Sequence, residues 1–542
     1  MVFSSSIFIF GFLPVVYLGF LISHQLKSRS AVLYWLIASS LCFYGWWNPR
    51  YLILIAVLIG ANFGISRAIA AATGVRRRKC WLTLGLVLNI GTLIYYKYTN
   101  FLLDNVNTLA GTHLVIDTIV LPLGISFFTF QKIALLIDTY HGRVQTLAFG
   151  EYCLFVLFFP QLIAGPIVHH SEVVPQFRRL HEHRVNWDHV VLGLSIFFIG
   201  LFKKVVFADT LAAEDVNPVF AVTATGAVPI FLEAWGSVLG YTLELYFDFS
   251  GYCDMAIGAA MLFGIRLPQN FNSPFKAASI IEFWGRWHIT LTRFLTSYIY
   301  NPLNLELTRR RLAKGKKGYG GKHTTIGALI TLLVFPTMAT MFISGFWHGV
   351  GYTFIVWGLL HGIYLTINHS WRLFAHRQWP DKQRYQRLMW PIGLVLTFAC
   401  VVASMAFFRA HTISEALAML RVMSGADGIQ LPVVLERIPG AHLLSGRAVN
   451  FLPEGEAYGH IHGGRPLLAI VGLVAWCWLL PNAQQIFSRF QTALGTQDND
   501  KAPAWAQFSY AWRWVTFIST VTVMGLLYVQ TNIAQEFLYF DF

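Results

Sequence analysis

The chain has 542 residues, of which 56% are hydrophobic and only 12% charged. Soluble domains carry roughly a quarter charged residues, so this composition excludes an ordinary soluble globular protein and points to an integral membrane protein. The formal net charge of +14 is broken into short clusters between apolar stretches, namely Arg76-Arg77-Arg78-Lys79, Arg178-Arg179, Lys203-Lys204 and seven basic residues from Arg309 to Lys322. That pattern marks cytoplasmic loops and argues against nucleic-acid binding.

The chain is apolar from its start, and Lys27 is its first basic residue. A cleavable signal peptide needs a basic leader and a small-residue cleavage site, so Ile7 to Ile22 reads as a retained first span. Apolar stretches near the ~20 residues that cross a bilayer follow at 31–47, 51–71, 81–98, 115–137, 151–168, 190–207, 227–247, 253–265, 325–346, 351–368, 390–408, 465–480 and 512–530. The expected fold is all-α, a polytopic membrane bundle of roughly 11–14 transmembrane or re-entrant helices forming a single domain over 1–542.

Leu121-Pro122-Leu123-Gly124-Ile125-Ser126-Phe127 and Phe159-Pro160-Gln161-Leu162-Ile163-Ala164-Gly165-Pro166 break their helices with Pro and Gly. Broken backbone at membrane depth is tolerated where it is buried in protein or lines a wet cavity, so both are candidate re-entrant segments. If Lys27 and Arg29 are cytoplasmic, the N-terminus faces outward and the third span returns to the cytoplasm at Arg76–Lys79. The run Arg309–Lys322, with Gly315, Gly318, Gly320 and Gly321, reads as a flexible cytoplasmic loop: a topology determinant, or in a sharper reading a dock for an acidic carrier protein. Residues 425–464 form a polar extramembrane connector between late helices, and 491–506 a second one.

The six cysteines are scattered without a C-x-x-C pair, which indicates neither a disulfide framework nor a zinc site. His169-His170, just past Pro166, read as interfacial rather than metal-ligating. No metal and no bound cofactor are expected.

The informative stretch is His323–Trp371, which contains no Asp, Glu, Lys or Arg but carries Ser344-Gly345-Phe346-Trp347-His348-Gly349 and then His361-Gly362. A bilayer solvates imidazole poorly, so His348 is either a hydrogen-bonded packing residue or a functional one. Upstream lies a block dense in polar and aromatic residues: Tyr246-Phe247-Asp248-Phe249-Ser250-Gly251-Tyr252-Cys253-Asp254, Gln269-Asn270-Phe271-Asn272-Ser273-Pro274-Phe275, and Glu282-Phe283-Trp284-Gly285-Arg286-Trp287-His288. Glu282 and Arg286 are spaced for a same-face ion pair. Asp248 and Asp254 are structural candidates that hold helices together or bind Arg286 or Arg293. Together these blocks suggest a polar cavity with two histidines about it. Imidazole, with an ordinary pKa near 6.5, suits a base that takes a proton from an attacking hydroxyl. Neither a nucleophile elbow, a H-E-x-x-H motif nor a phosphate-binding loop is present.

At these residues the chain resembles the membrane-bound O-acyltransferases, in the branch of bacterial alginate O-acetyltransferases and teichoic-acid D-alanyl transfer proteins. Leu121–Phe127, Leu162–Pro166, Phe407-Phe408-Arg409-Ala410 and the terminal Phe537-Leu538-Tyr539-Phe540-Asp541-Phe542 add to the likeness. Gly285, Thr296-Ser297, Asn301-Pro302-Leu303-Asn304 and Cys253 depart from the branch's usual pattern.

The resemblance implies a helical bundle around a central funnel in the cell inner membrane. It implies that His348 and His288 are catalytic, and it makes Asn270, Asn272, Trp284, Arg286, Trp287, Trp347 and His361 candidates for binding substrate or lining the cavity. Asn270 and Asn272 are also candidate helix caps. The implied activity is transfer of an acetyl group from a cytoplasmic thioester, acetyl-CoA or an acylated carrier protein, toward an exported alginate-like polysaccharide. An SGNH-type periplasmic acetyltransferase is the implied partner. Two alternatives stand beside it: transfer to a protein or lipid hydroxyl, and, from another class, a polysaccharide or lipid transporter. The transporter predicts inverted repeats, which the sequence does not display.

Overall fold

The computed structural model describes the chain except residues 118, 145–146, 181, 183–185, 320–323, 380, 438–448, 462, 497–500, 531–536 and 539–542. It is built almost entirely of helices. Seven of the described helical segments are long and apolar enough to cross a membrane: Ile7–Gln25, Arg50–Ala71, Val75–Ala110, Trp187–Ala224, Ile326–His348, Gln383–Arg409 and Trp512–Gln530. Gly320, Gly321 and Lys322 of the basic run, and the terminal Tyr539–Phe542, lie outside the described residues.

The chain divides into two compact units. The first comprises Met1–Val205, Phe249–Asn270 and Ala483–Asp541. Here the two broken segments meet. Gly124 has φ +71, and a Cβ on it would lie 3.0 Å from the Leu162 carbonyl oxygen and 3.1 Å from the Ile163 Cα. Only glycine meets both the left-handed backbone and that approach. The helix predicted from 115 therefore begins at Ile125, in Ile125–Tyr140, and the segment from 151 ends early as Phe149–Leu157 followed by the single turn Phe159–Leu162. At 1.5 Å per residue neither of the latter two crosses a bilayer. Gly193 and Gly200 of Trp187–Phe202 face Gly258 and Gly251, with backbone so close that any Cβ would clash. Small residues permit such approach between membrane helices. Lys203 bonds Asp254 at 2.8 Å, and Gln484 donates to the same carboxylate at 3.1 Å. Asp254 thus holds elements together as expected, but through Lys203 and Gln484 rather than Arg286 or Arg293, because the charges that share its unit lie on neighbouring helices.

The second unit comprises Val206–Asp248, Phe271–Asn482 and Phe542. The spans expected at 227–247 and 253–265 are one helix, Phe231–Leu262, whose 32 residues run through both units. Neither Ser250 nor Gly251, in the gap between those two stretches, has positive φ, and Gly251 serves close packing rather than turning. The basic run is also more ordered than a loop: Arg309, Arg310 and Arg311 lie in the helix Asn301–Ala313. The connector at 425–464 holds two short strands, Ile429–Pro432 and Val449–Leu452, paired in parallel with Ile429 opposite Val449. The centre of the unit is a helical hairpin, Phe335–His348 and Tyr352–Gln378, separated by Gly349-Val350-Gly351. Gly345 and Gly358 bring its arms into contact: a Cβ on Gly345 would lie 2.3 Å from the Phe354 carbonyl oxygen, and one on Gly358 2.4 Å from that of Met341.

Candidate active site

The hairpin determines where His348 sits. His348 is the last residue of its helix, buried, and its Nδ1 lies 2.6 Å from the Ser344 carbonyl oxygen one turn back. A carbonyl can only accept, so Nδ1 carries the proton and the lone pair of the neutral ring is at Nε2. The close glycine approach sets Trp357 of the second arm edge-to-face on His348, with ring centroids 4.9 Å apart. Trp347 at 4.9 Å and Phe408 at 5.6 Å complete an aromatic box, a favourable geometry for buried rings.

His288 enters from a different local structure. The helix Ile280–Trp284 is capped by Ser279, whose Oγ accepts from the Glu282 amide at 3.2 Å, while the Glu282 carboxylate accepts from Ala278 N at 3.0 Å. The chain then turns through Gly285–Trp287, and His288 adopts φ +44, ψ +51 as the N-cap of Ile289–Leu295. Among the described residues only four that are not glycine have positive φ, and Ser273 and His288 are two of them. A bulky residue in the left-handed region is strained unless its surroundings hold it, and such strain concentrates at functional sites. His288 is fully buried, 6.5 Å from His348 and 6.4 Å from Trp347 between ring centroids.

His361 belongs to the same array. It lies 4.9 Å from Trp357 and 5.3 Å from Trp284, and its Nε2 is 2.9 Å from Ser404 Oγ. The Ser404 hydroxyl donates to the Val401 carbonyl at 2.7 Å, so toward His361 it accepts. His361 is therefore fixed as the Nε2–H tautomer.

The remaining candidates divide. Trp284, Trp287 and Trp347 are buried in the array, Trp287 5.1 Å from Phe271. Arg286 makes the expected pair with Glu282 at 3.0 Å and also donates to the Asn272 carbonyl at 3.1 Å. Asn272 accepts through its side chain from Asn482 at 3.1 Å, so this group straps a loop. Asn270 belongs to the first unit, where its amide donates to Cys253 Sγ at 3.2 Å. Neither asparagine is a helix cap; the residue that precedes the Pro274–Lys276 turn is Ser273. Asp248 is fully buried in the second unit. Trp357 and Ser404 have no place in the sequence reading, and Phe408 enters it only within the block Phe407–Ala410, without a role at the site. Their signal is spacing: Trp357 and His361 are four apart on one helix, as are Ser404 and Phe408 on another.

The profile of the membrane-bound O-acyltransferase family matches residues 79–316, a segment that contains His288. A peptidoglycan O-acetyltransferase of Helicobacter pylori is 40% identical over 460 residues, covering 80% of this chain and 81% of its own length. This chain belongs to the membrane-bound O-acyltransferase family. A span of that coverage includes both His288 and His348 wherever it starts. A probable alginate O-acetylase of Pseudomonas aeruginosa is 38% identical over 431 residues, covering 78% of this chain and 75% of the relative. A teichoic acid D-alanyltransferase of Streptococcus thermophilus is 26% identical over 295 residues, covering 53% of this chain and 68% of the relative. The protein is accordingly a multi-pass membrane acyltransferase, and the transporter reading gives way to it.

Proposed function

We propose that this membrane-bound O-acyltransferase transfers acetyl groups from a cytoplasmic thioester for O-acetylation of an exported cell-envelope glycan, and that His348 is its general base. The observation that carries the assignment is the Nδ1 hydrogen bond to the Ser344 carbonyl, which presents a neutral imidazole lone pair in an aromatic box. The hydroxyl proton of the acceptor passes to Nε2 as oxygen attacks the thioester carbonyl. The C–O bond forms, the C–S bond breaks, and the imidazolium returns the proton to the departing thiolate. The thioester is already a good acyl donor, so a positioned base suffices without a protein nucleophile. The T-shaped packing of Trp347 and Trp357 on the ring fixes its orientation for that transfer. His288, held by its strained backbone beside His348, is a second polar group that orients the base or the thioester carbonyl.

Acetyl as the acyl group and a glycan as its destination rest on what the relatives at 38–40% identity are named for, alginate and peptidoglycan. The same reading places the protein in the cell inner membrane. Acetyl-CoA or an acylated carrier is then the donor, and an SGNH-type enzyme outside the membrane receives the group. A protein or lipid hydroxyl is the competing acceptor.

The test is replacement by His348→Ala in cells and in proteoliposomes supplied with radiolabelled acetyl-CoA. The variant is expected to keep its expression level and thermal unfolding midpoint while transfer falls by about 10²–10⁴-fold. In cells, ester-linked acetate should disappear from one glycan fraction. Unchanged acetate in every glycan fraction, with labelled lipid or protein lost instead, would reassign the acceptor. Retention of transfer by the variant would remove His348 from the chemistry.

A further inference from the structure

A second cluster of histidines lies in the first unit, outside everything the acyl transfer uses. Asp138, near the C-terminal end of Ile125–Tyr140, faces His169 and His170, where the chain enters the helix His170–Arg178. His169 Nε2 lies 2.7 Å from Asp138 Oδ2, and His170 Nδ1 lies 3.8 Å from the same oxygen. One side-chain ligand atom from each residue falls within 4.8 Å of the others, and the two rings are 4.3 Å apart between centroids. Asp138 and His170 are buried, and His169 is partly open to solvent.

Two observations separate this cluster from an ordinary hydrogen-bonded strut. His170 Nδ1 is buried without a hydrogen-bond partner, turned toward the carboxylate at a distance too long for a hydrogen bond. A buried ring nitrogen left in that position is anomalous unless something fills the gap. Second, the far nitrogen of His169 is held: Nδ1 lies 2.6 Å from Ser171 Oγ and 3.4 Å from the Ser171 amide, and the His169 backbone amide donates to Glu172 Oε2 at 2.8 Å. The Ser171 hydroxyl is able to accept the Nδ1 proton, the kind of partner that metal-ligating histidines give their other nitrogen while the near one coordinates.

We propose that Asp138, His169 and His170 bind a divalent transition metal of the zinc class, with one or more waters at the open side. Ligand atoms about 2.0–2.1 Å from a shared tetrahedral ion stand roughly 3.3 Å apart. The observed 2.7 and 3.8 Å to Asp138 bracket that separation, and all three ligand atoms lie within 4.8 Å of one another. Two imidazoles and one carboxylate suit zinc and its borderline neighbours rather than calcium or magnesium. Arg143 brings an opposing charge, its guanidinium 3.5 Å from Asp138 Oδ1. It is largely exposed, and it neutralises the outer carboxylate oxygen without occupying the inner one. Arg78, of the basic cluster at 76–79, donates to the Thr139 and Tyr140 carbonyls at 3.2 and 2.5 Å. The ion therefore sits at the basic end of Ile125–Tyr140 and pins that end to the segment following the broken turn at Pro166. This role is independent of the acyl-transfer assignment.

The test uses full-length protein purified in detergent without a histidine tag. Elemental analysis is expected to find about one zinc per chain, and chelator-treated protein titrated with Co2+ should develop the strong visible bands of low-coordinate cobalt. Asp138→Asn and His170→Ala should each weaken Co2+ binding about tenfold or more, whereas His348→Ala should leave the bands unchanged. Adding Zn2+ should raise the unfolding midpoint of the wild type and of Arg143→Ala but not of the two ligand variants. Should His170→Ala not fold, the wild-type spectrum and the Asp138→Asn variant decide. Wild-type protein that holds no stoichiometric metal and gives featureless cobalt spectra would overturn the proposal. Bands that survive both ligand variants, or vanish in His348→Ala, would overturn it equally.

Discussion

His348 and His361 share one aromatic array, yet their hydrogen bonds give them opposite tautomers. His348 spends Nδ1 on a backbone carbonyl, which puts the ring lone pair on Nε2, while His361 spends Nε2 on Ser404 of the neighbouring helix Lys382–Arg409. A side chain whose proton is committed to a buried serine is built to hold helices together. Ser404→Ala should then cost about 1–3 kcal/mol of stability by orphaning the buried N–H. Acyl transfer at a temperature where the variant is folded should change only a few-fold. Thermal unfolding in detergent and a single-turnover assay on the same preparation check both halves. Lost transfer with an unchanged midpoint would move His361 from scaffold to chemistry. His348 and Trp347 were legible in the sequence because a polar ring inside a 49-residue uncharged run needs an explanation. Trp357 was not, and Phe408 only as part of the block Phe407–Ala410 rather than as a neighbour of His348, since an aromatic side chain in an apolar helix suits a lipid-facing position equally well.

Between elements, small residues decide how close the backbones come. Gly345 and Gly358 leave no volume for a methyl group, and the atoms they meet are backbone, which cannot swing away. Gly345→Ala is therefore expected to push the hairpin arms apart, at a cost of about 1–3 kcal/mol, and to displace Trp357 from His348. Transfer should fall with stability, in contrast to Ser404→Ala. Gly91→Ala, where a Cβ meets open space, is the control and should be neutral or mildly stabilising. Circular dichroism melts and transfer rates across the three variants check this. The same logic explains what the sequence concealed about element boundaries. Pro122 with Gly124 broke a helix as read, because Gly124 takes positive φ. Ser250-Gly251 did not, because a glycine kept for contact with Gly200 looks the same in sequence as one kept for turning. The strand pair at 429–452 was equally hidden: four-residue strands carry too little alternation to stand out within a polar connector.

For the whole chain the governing quantity is the parity of membrane crossings, and charge sets it. Hydropathy alone exposes the long spans, but segments such as Phe149–Leu157 and Phe159–Leu162 enter without crossing, so counting apolar stretches overstates the crossings. The basic clusters are the independent check, because Lys and Arg near span ends stay on the cytoplasmic side. Arg77 and Lys316, both exposed, should then lie on the same side, with an even number of crossings between them, and Asn48 on the other. Single cysteines placed at these positions in a background lacking Cys42, Cys80, Cys153, Cys253, Cys400 and Cys477 test the arrangement with a membrane-impermeant maleimide. Asn48→Cys should label in cells whose inner membrane is intact. Arg77→Cys and Lys316→Cys should label only once that membrane is opened. Labelling of Lys316→Cys from outside with Arg77→Cys protected would require an odd count. One of the broken or short segments between them would then be a true crossing, and the end of His348's helix that adjoins the basic run would face outward.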